Sequence, residues 1–196
     1  NVKRPDKDDL VVSGSDVPVM TSLFNDVKGE VLGLSHESKI YRLSCADGRI
    51  TCELKGSVSS LLEKEEVNSV CIDREGRLWL NATLGRILRS DETMHKFENV
   101  SLDNEIDDCT VLGLLSDKNS VWIITNKKVL QYNIDSQTFQ HYSTADDNIM
   151  VDVFRYKAIS LDGWGGLYVG GHRGFIHIRP VNASVANRAP TSLHIT

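Results

Sequence analysis

Short runs of alternating apolar and polar residues recur along the chain, and one strand–turn–strand pattern occurs four times. Each copy has an apolar strand, a turn that begins with Asp, and a second strand with a bulky residue at a fixed position. The copies span 21–34, 68–80, 110–124 and 157–171. Their bulky residues are Leu32, Trp79, Trp122 and Tyr168, which lie 47, 43 and 46 residues apart. A period of about 40–50 residues with several short strands per unit is typical of a β-propeller, in which each repeat forms one blade.

Asp and Gly stand first and fourth in the turn of three repeats. These pairs are Asp26 and Gly29, Asp73 and Gly76, and Asp162 and Gly165. The spacing predicts a type I turn followed by a left-handed Gly, with the Asp carboxylate accepting backbone N–H bonds inside the turn. The third turn, which begins at Asp117, is one residue shorter. There we expect Asn119 to take the left-handed position.

A third strand follows each hairpin, and a fourth follows it in three repeats. The third strands are predicted at 39–43, 86–90, 128–133 and 175–180, and the fourth at 50–54, 95–100 and 138–143. The fold class is therefore all-β, a propeller of about four blades made of four-stranded antiparallel sheets, the last one strand short. We place the blades at about 19–56, 67–101, 109–143 and 155–180. One short helix is expected within 59–67.

The ends of the repeat array raise the question of closure. A blade buries its faces only against its neighbours, so four blades in an open row expose an apolar face at each end. Three solutions are open: a closed four-blade ring, a second copy of the chain, or a longer propeller that supplies the remaining blades. We favour the longer propeller, because the first residues carry no initiating Met and no signal-peptide pattern. The N-terminal segment 1–18 contains a candidate closing strand at 9–14.

Composition excludes several function classes. The 196 residues are 40% apolar and 25% charged, which is ordinary for a globular protein. Lys and Arg number 22 against 27 Asp and Glu, and no basic cluster interleaves with aromatic residues, so we expect no nucleic-acid partner. No run of about 18 apolar residues occurs. Any membrane attachment would therefore lie in parts of a larger protein outside this chain.

The four cysteines show no metal-binding spacing. They are Cys45, Cys52, Cys71 and Cys109. No CxxC pair and no matching His spacing for zinc occurs among them. A two-residue turn between Cys45 and Cys52 would place Cys45 opposite Ile50, so a disulfide between these two needs a different turn. Free, partly buried thiols are the expected state.

Several phrases of the repeats resemble the two-component regulator propeller repeat over about residues 19–180. They are Asp73-Arg-Glu-Gly76-Arg-Leu-Trp79, Asp117-Lys-Asn-Ser-Val-Trp122, Gln131-Tyr-Asn-Ile-Asp135 and Phe139-Gln-His-Tyr142. Leu32 and Tyr168 depart from the Trp that this family carries at the bulky position. The tail 181–196 resembles the exit linker toward the immunoglobulin-like domain that follows such propellers. The resemblance implies the periplasmic sensor domain of a hybrid histidine kinase that detects a carbohydrate or related small molecule.

Candidate binding residues lie in the loops between second and third strands. If first strands line a central channel, these loops all emerge at one mouth. Three of the four loops hold strongly polar pairs, and the candidate ligand-binding residues are His36, Glu37, Asn126, Lys127, His172 and Arg173. Polar planar side chains suit hydroxyl-rich or anionic ligands. The alternative interpretation is that these are ordinary solvent-facing loop residues.

Catalytic and metal-binding motifs are not found in the sequence. We identify no catalytic residue, no metal site and no cofactor motif, and we interpret the acidic runs 103–108 and 146–152 as solvated loops. A propeller lyase or glycosidase, and a structural interaction platform, remain the alternative functions. Trp79, Trp122 and Tyr168 are expected to pack between blades, while Trp164 is a candidate interface residue. The residues assigned to the scaffold are Asp26, Gly29, Asp73, Gly76, Trp79, Asp117, Trp122, Asp162, Gly165 and Tyr168.

Overall fold

The computed structural model describes residues 17–46, 49–62, 65–100, 109–143, 154–162, 165–172 and 174–179. Blade I contains β1 (Met20–Asn25), β2 (Val31–Ser35), β3 (Lys39–Ala46) and β4 (Arg49–Ser57), and is followed by the one-turn helix α1 (Ser59–Leu62). Blade II contains β5 (Val67–Ile72), β6 (Leu78–Ala82), β7 (Ile87–Ser90) and β8 (Phe97–Asn99). Blade III contains β9 (Val111–Ser116), β10 (Ser120–Thr125), β11 (Lys128–Asn133) and β12 (Thr138–Ser143). Blade IV contains β13 (Phe154–Leu161), β14 (Leu167–Gly171) and β15 (Gly174–Ile178).

Each blade is one antiparallel sheet whose strands lie in chain order. The all-β propeller prediction is confirmed, with three four-stranded sheets and a three-stranded sheet in blade IV. First strands of successive blades touch each other: the Ser116 hydroxyl donates to the Ile72 carbonyl at 2.5 Å. A Cβ on Gly113 would lie 2.6 Å from Cδ1 of Ile159 in the next first strand. The first strands therefore form the inner edge of the array.

The Asp–Gly turns have the predicted geometry. Gly29, Gly76 and Gly165 have φ angles of +80°, +81° and +85°, which favour Gly because a side chain there is strained. In the first turn the Asp26 carboxylate accepts backbone N–H bonds from Lys28 and Glu30, both at 2.8 Å. The local sequence thus determines the hairpin geometry.

The prediction for Asn119 is wrong. Asn119 does not have a positive φ, unlike the Gly residues of the other turns. The turn is one residue shorter, so no left-handed bulge residue is needed to bring the strands into register. Instead, the Asp117 carboxylate accepts the N–H groups of Asn119 and Ser120, both at 2.7 Å. The Asp117 side chain therefore closes this shorter turn by bonding the backbone N–H of Ser120, where the second strand of the hairpin begins.

The apolar core consists of three clusters, one at each junction between successive blades. Leu32 belongs to the cluster between blades I and II, Trp79 to the next, and Trp122 to the third. Trp79 and Trp122 have no exposed area, which confirms that they pack between blades. Tyr168 was expected to do the same, but it is 37% exposed. It belongs to the last described blade, so no following blade covers it.

Among the described residues, the array of blades is open at both ends. Leu23 and Leu54 on blade I are 64% and 56% exposed, and Phe175 on blade IV is 44% exposed. These values show that the described residues of blades I and IV do not close a four-blade ring. The candidate strand 9–14, Trp164 and the tail 181–196 lie outside the described residues. Within the described part of the chain, no helix is long and apolar enough to cross a membrane.

Candidate functional site

The buried turn carboxylate of blade II accepts hydrogen bonds on both of its oxygens. Asp73 is completely buried, and its Oδ1 accepts the N–H groups of Glu75 and Arg77, both at 3.0 Å. Its Oδ2 accepts the Arg77 guanidinium and the Trp79 indole N–H, both at 2.8 Å. With these donors in place, Asp73 is a structural residue and not a free general base.

A side chain also contacts the turn Asp in the next two blades: a Trp indole again in blade III, and a His ring in blade IV. Trp122 donates its indole N–H to Asp117 at 2.8 Å. In blade IV, where Tyr168 replaces Trp, Nε2 of His177 lies 2.9 Å from Oδ2 of Asp162. The His177 ring stacks on Tyr168 with centroids 4.1 Å apart and planes inclined by 2°. This stacking holds His177 in place beside the carboxylate.

The first candidate site, the loop mouth, comprises the loops between second and third strands. Each of three loops bonds back to the chain just before the first strand of its own blade. His36 N–H donates to the Val19 carbonyl at 2.9 Å, and Asn126 N–H donates to the Thr110 carbonyl at 3.0 Å. Thr83 makes the equivalent bond in blade II. These bonds fix the loop backbones at one end of the array.

The predicted ligand residues differ in what their side chains already do. Asn126 Oδ1 accepts the Thr110 N–H at 2.9 Å, so this side chain helps to hold its own loop. Glu37 pairs with Lys39 at 2.5 Å, and this hydrogen bond lowers the pKa of Glu37 and raises the pKa of Lys39. Nδ1 of His172 lies 3.1 Å from an Arg155 guanidinium nitrogen.

The loop mouth remains a predicted site. His36, Glu37, Lys127 and His172 are exposed, while Arg173 lies outside the described residues. The contacts described above for His36, Asn126 and His172 stay within their own blades. The sequence prediction therefore identified accessible polar loops.

A second candidate site lies at the other end of the first strands, and sequence analysis missed it. We call it the turn mouth, a cavity of about 340 Å³ formed by the hairpin turns of blades I, II and III. It is lined by one triplet from each blade: Asn25, Asp26 and Val27; Ile72, Asp73 and Arg74; and Ser116, Asp117 and Lys118. The triplets occupy identical repeat positions, the turn Asp and its two neighbours. Aligning the repeats on the Asp would have revealed this lining.

Arg74 joins two blades beside the turn mouth. Its guanidinium donates to the Asn119 side chain at 2.8 Å and to the Lys118 carbonyl at 3.3 Å, and it pairs with Asp135. Lys118 and Val27 are exposed at the rim. Because the Asp73 and Asp117 carboxylates bond within their own hairpins, the groups that this cavity offers to a ligand are the Lys118 ammonium and the Val27 side chain.

Metal and thiol chemistry has no candidate centre in the described residues. Within the ranges that the structure describes, no group of three or more His, Cys, Asp or Glu residues is arranged to hold a metal ion. The acidic runs 103–108 and 146–152 lie outside those ranges. All four cysteines are free, and Cys45 lies opposite Ile50 as predicted. The thiols therefore form no disulfide.

No family model matches the chain, and no curated protein matches it. Several solved structures are similar to the chain. Two crystal structures of the extracellular domain of BT4673 from B. thetaiotaomicron, named once as a one-component and once as a hybrid two-component system, match at 18% and 20% identity with TM-scores of 0.59 and 0.55. Each match covers 82% of this chain, which spans only 23% and 20% of those chains.

Two other propeller chains are similar to the same degree. YCF48 bound to D1 peptide matches at 20% identity and a TM-score of 0.60, over 87% of this chain and 53% of YCF48. A catalytically inactive virginiamycin B lyase from Staphylococcus aureus with quinupristin matches at 18% identity and a TM-score of 0.55, over 80% of this chain and 50% of the lyase. Similarity at 18–20% identity to proteins of such different roles establishes the β-propeller fold of this chain.

Proposed function

We propose that this chain is the ligand-sensing propeller of an extracytoplasmic, periplasmic sensor in a two-component system. It binds an oligosaccharide or related metabolite and relays the signal to a histidine kinase in the same protein. The observation that carries the proposal is the structural similarity to the extracellular domain of BT4673 over 82% of the chain. The repeat phrases around Trp79 and Trp122, which resemble the two-component regulator propeller, support the same role.

The ligand is proposed to bind at the loop mouth. His36, Lys127 and His172 present donors and acceptors that match sugar hydroxyls, and their side chains are exposed. The carboxylates of Asp73, Asp117 and Asp162 bond within their own blades, so they are poorly placed for acid–base chemistry. A binding role without turnover therefore suits this scaffold better than an enzymatic one.

A lyase or glycosidase is the second candidate function, because a lyase with the same fold matches the chain. A protein-interaction platform is the third, since YCF48 with its bound D1 peptide matches as well. Product formation from an oligosaccharide would favour the enzyme. Peptide binding without any carbohydrate binding would favour the platform.

A thermal-shift screen against an oligosaccharide panel tests the proposal. A ligand at a hundredfold excess over its Kd stabilises the folded state by about 2.7 kcal/mol, which corresponds to a rise in Tm on the order of 5–10 °C for a domain of this size. We expect at least one oligosaccharide to give such a rise. If the folded protein responds to none of the panel, the carbohydrate-sensing proposal is wrong.

Matched variants locate the site. His36→Ala, Lys127→Ala and His172→Ala should each reduce the shift, whereas Leu84→Ala, a loop position in blade II with an apolar side chain, should leave it unchanged. Lys118→Ala tests the turn mouth in the same assay. If the shift disappears in Lys118→Ala and survives the three loop variants, the ligand binds at the turn mouth and the loop-mouth assignment is wrong.

A further inference from the structure

The first strand of blade IV carries a longer bulge than the first strands of the other blades. In blade IV, Phe154 pairs with Gly171 and Ile159 pairs with Val169, so between these two pairs β13 has four residues and β14 has one. In blades I, II and III the corresponding bulge is a single extra residue of the first strand, at Thr21, Asn68 and Leu112. Blade IV therefore has three extra residues where each other blade has one.

Both ends of this bulge are fixed by the apolar core. Phe154 is 2% exposed and belongs to the cluster at the junction of blades III and IV, and Ile159 packs against the same cluster. A Cβ on Gly170 would lie 3.1 Å from Cβ of Ala158, so the bulge also lies close to the second strand. Bulges change the direction in which a side chain points, and they are frequent next to active sites.

Arg155, the first residue of the bulge, reaches the loop between β14 and β15. A nitrogen of its guanidinium lies 3.1 Å from Nδ1 of His172, and both side chains are exposed at the loop mouth. Sequence analysis identified His172 but not Arg155, because Arg155 belongs to a first strand and not to a loop between second and third strands. The structure thus places a cation beside one of the predicted ligand residues.

The pair presents only hydrogen-bond donors to a ligand. A guanidinium has no acceptor atom, so Nδ1 of His172 is the acceptor in this bond, and neutral His172 carries its ring proton on Nε2. The Nε2–H group and the remaining guanidinium N–H groups are then the polar groups left for a ligand. Such donors are satisfied by acceptors, and a group with two anionic oxygens accepts two parallel bonds from one guanidinium.

The charge of Arg155 is not balanced by a carboxylate in the described part of the chain. Five other arginines each pair with a carboxylate: Arg42, Arg74, Arg77, Arg86 and Arg89. Among the residues that the structure describes, no carboxylate pairs with Arg155. At the loop mouth, Glu37 already pairs with Lys39. Arg155 is therefore a cation that a ligand can pair with.

We propose that Arg155 and His172 form an anion subsite of the loop mouth, and that the ligand is an oligosaccharide with a carboxylate or sulfate group. The inference rests on the proposed function and narrows its ligand from oligosaccharides in general to acidic ones. The anionic group accepts hydrogen bonds from the Arg155 guanidinium and from Nε2–H of His172. Because the bulge is fixed at both ends, the guanidinium is in place before the ligand binds, and little order is lost on binding.

Calorimetric titration with matched pairs of oligosaccharides tests the proposal. One pair is an oligogalacturonate and its methyl ester, and the other is a sulfated galactan oligosaccharide and its desulfated form. We expect the acidic member of at least one pair to bind about tenfold or more tightly than its neutral partner. Added salt should reduce this preference. The pair that shows it identifies the anionic group as a carboxylate or a sulfate.

Variants of Arg155 locate the subsite. Arg155→Gln removes the charge and should weaken binding of the acidic oligosaccharide by about ten- to a hundredfold, with loss of the preference over the neutral partner. Arg155→Lys keeps the charge but not the paired N–H groups, so it should lose less. Arg49→Gln alters an exposed arginine on the outermost strand of blade I and should bind like the wild type. Circular dichroism should show the same folded state in all of these proteins.

Failure of the subsite and failure of the proposed function give different results. If neutral oligosaccharides bind as tightly as their acidic partners, or if Arg155→Gln binds the acidic one unchanged, the anion subsite is wrong and the sensing function stands. If no oligosaccharide binds, acidic or neutral, the proposed function is wrong and the subsite with it.

Discussion

The indole N–H of Trp79 donates a hydrogen bond of 2.8 Å to the carboxylate of Asp73, six residues earlier in the chain. Asp73 starts the hairpin turn, and Trp79 fills the junction with blade III. The bond therefore connects the local geometry of the turn to the packing between blades. Trp122 and Asp117 repeat it at 2.8 Å in blade III.

Removal of the Asp73 charge should destabilise the protein more than the same change in blade I. Asp73→Asn places an amide against the Arg77 guanidinium and the Trp79 indole in a fully buried site, and we expect a loss of about 3 kcal/mol. Asp26→Asn is the matched control: it alters the same turn position, but Leu32 offers no indole donor, and about 1 kcal/mol should be lost. Urea denaturation measures both. Equal losses would show that the Trp–Asp bond contributes little.

Gly56 should tolerate a methyl group far less well than Gly29. A Cβ on Gly56 would lie 2.0 Å from the Met94 carbonyl oxygen of blade II, so Gly56→Ala must push the two blades apart. We expect a loss of roughly 3 kcal/mol. Gly29→Ala meets no atom within 4 Å and costs only the strain of its φ of +80°, roughly 1 kcal/mol. The comparison, made by urea denaturation, is contradicted if Gly29→Ala is the more destabilised variant.

Cys71 should be unreactive in the native protein, whereas Cys45 reacts. Burial raises the pKa of the Cys71 thiol to about 12, so only about one molecule in ten thousand carries the thiolate at pH 8. Cys45 is exposed. After brief iodoacetamide treatment, peptide mass spectrometry should find Cys45 alkylated and Cys71 intact. Equal rates would contradict the buried position of Cys71.

The same shift predicts a pH dependence of stability. A raised pKa means that the folded protein holds the thiol proton more tightly than the unfolded chain does. The contribution of Cys71 is therefore complete below the ordinary thiol pKa of 9.0 and is lost as pH rises toward 12. Cys71→Ala should show a weaker loss of stability over this alkaline range. An unchanged pH profile in that variant would assign the loss to other groups.

The sequence predicts what depends on local chemistry. Asp73 and Gly76 determine their turn because a carboxylate and a left-handed Gly act within four residues, and the repeat spacing of Trp79 and Trp122 identifies the blades. The exposure of Tyr168 depends on a neighbouring blade, which no local pattern contains. Asn119 lacks the positive φ that we predicted, because its turn is one residue shorter and needs no left-handed residue.

Of the two candidate sites, the loop mouth is predictable from the sequence and the turn mouth was not predicted. Polar loop residues such as His36 and His172 are visible in the sequence because they stand at matching repeat positions. The turn mouth has no such signal, because the sequence pattern of Asp26, Asp73 and Asp117 is fully explained by their role in the hairpin turns, although the same turns also line a cavity. A repeat position can thus serve both the fold and a site, and an alignment of the repeats on the turn Asp places the three lining triplets at equivalent positions.

Calorimetric titration of the protein with the oligosaccharide selected by thermal shift tests the central claim most directly. Product analysis of the same sample by mass spectrometry shows whether the ligand is consumed. We predict saturable binding, weakened by His172→Ala, with the oligosaccharide recovered intact. Absence of binding heat at all temperatures tested, or conversion of the oligosaccharide to products, would contradict a sensing propeller.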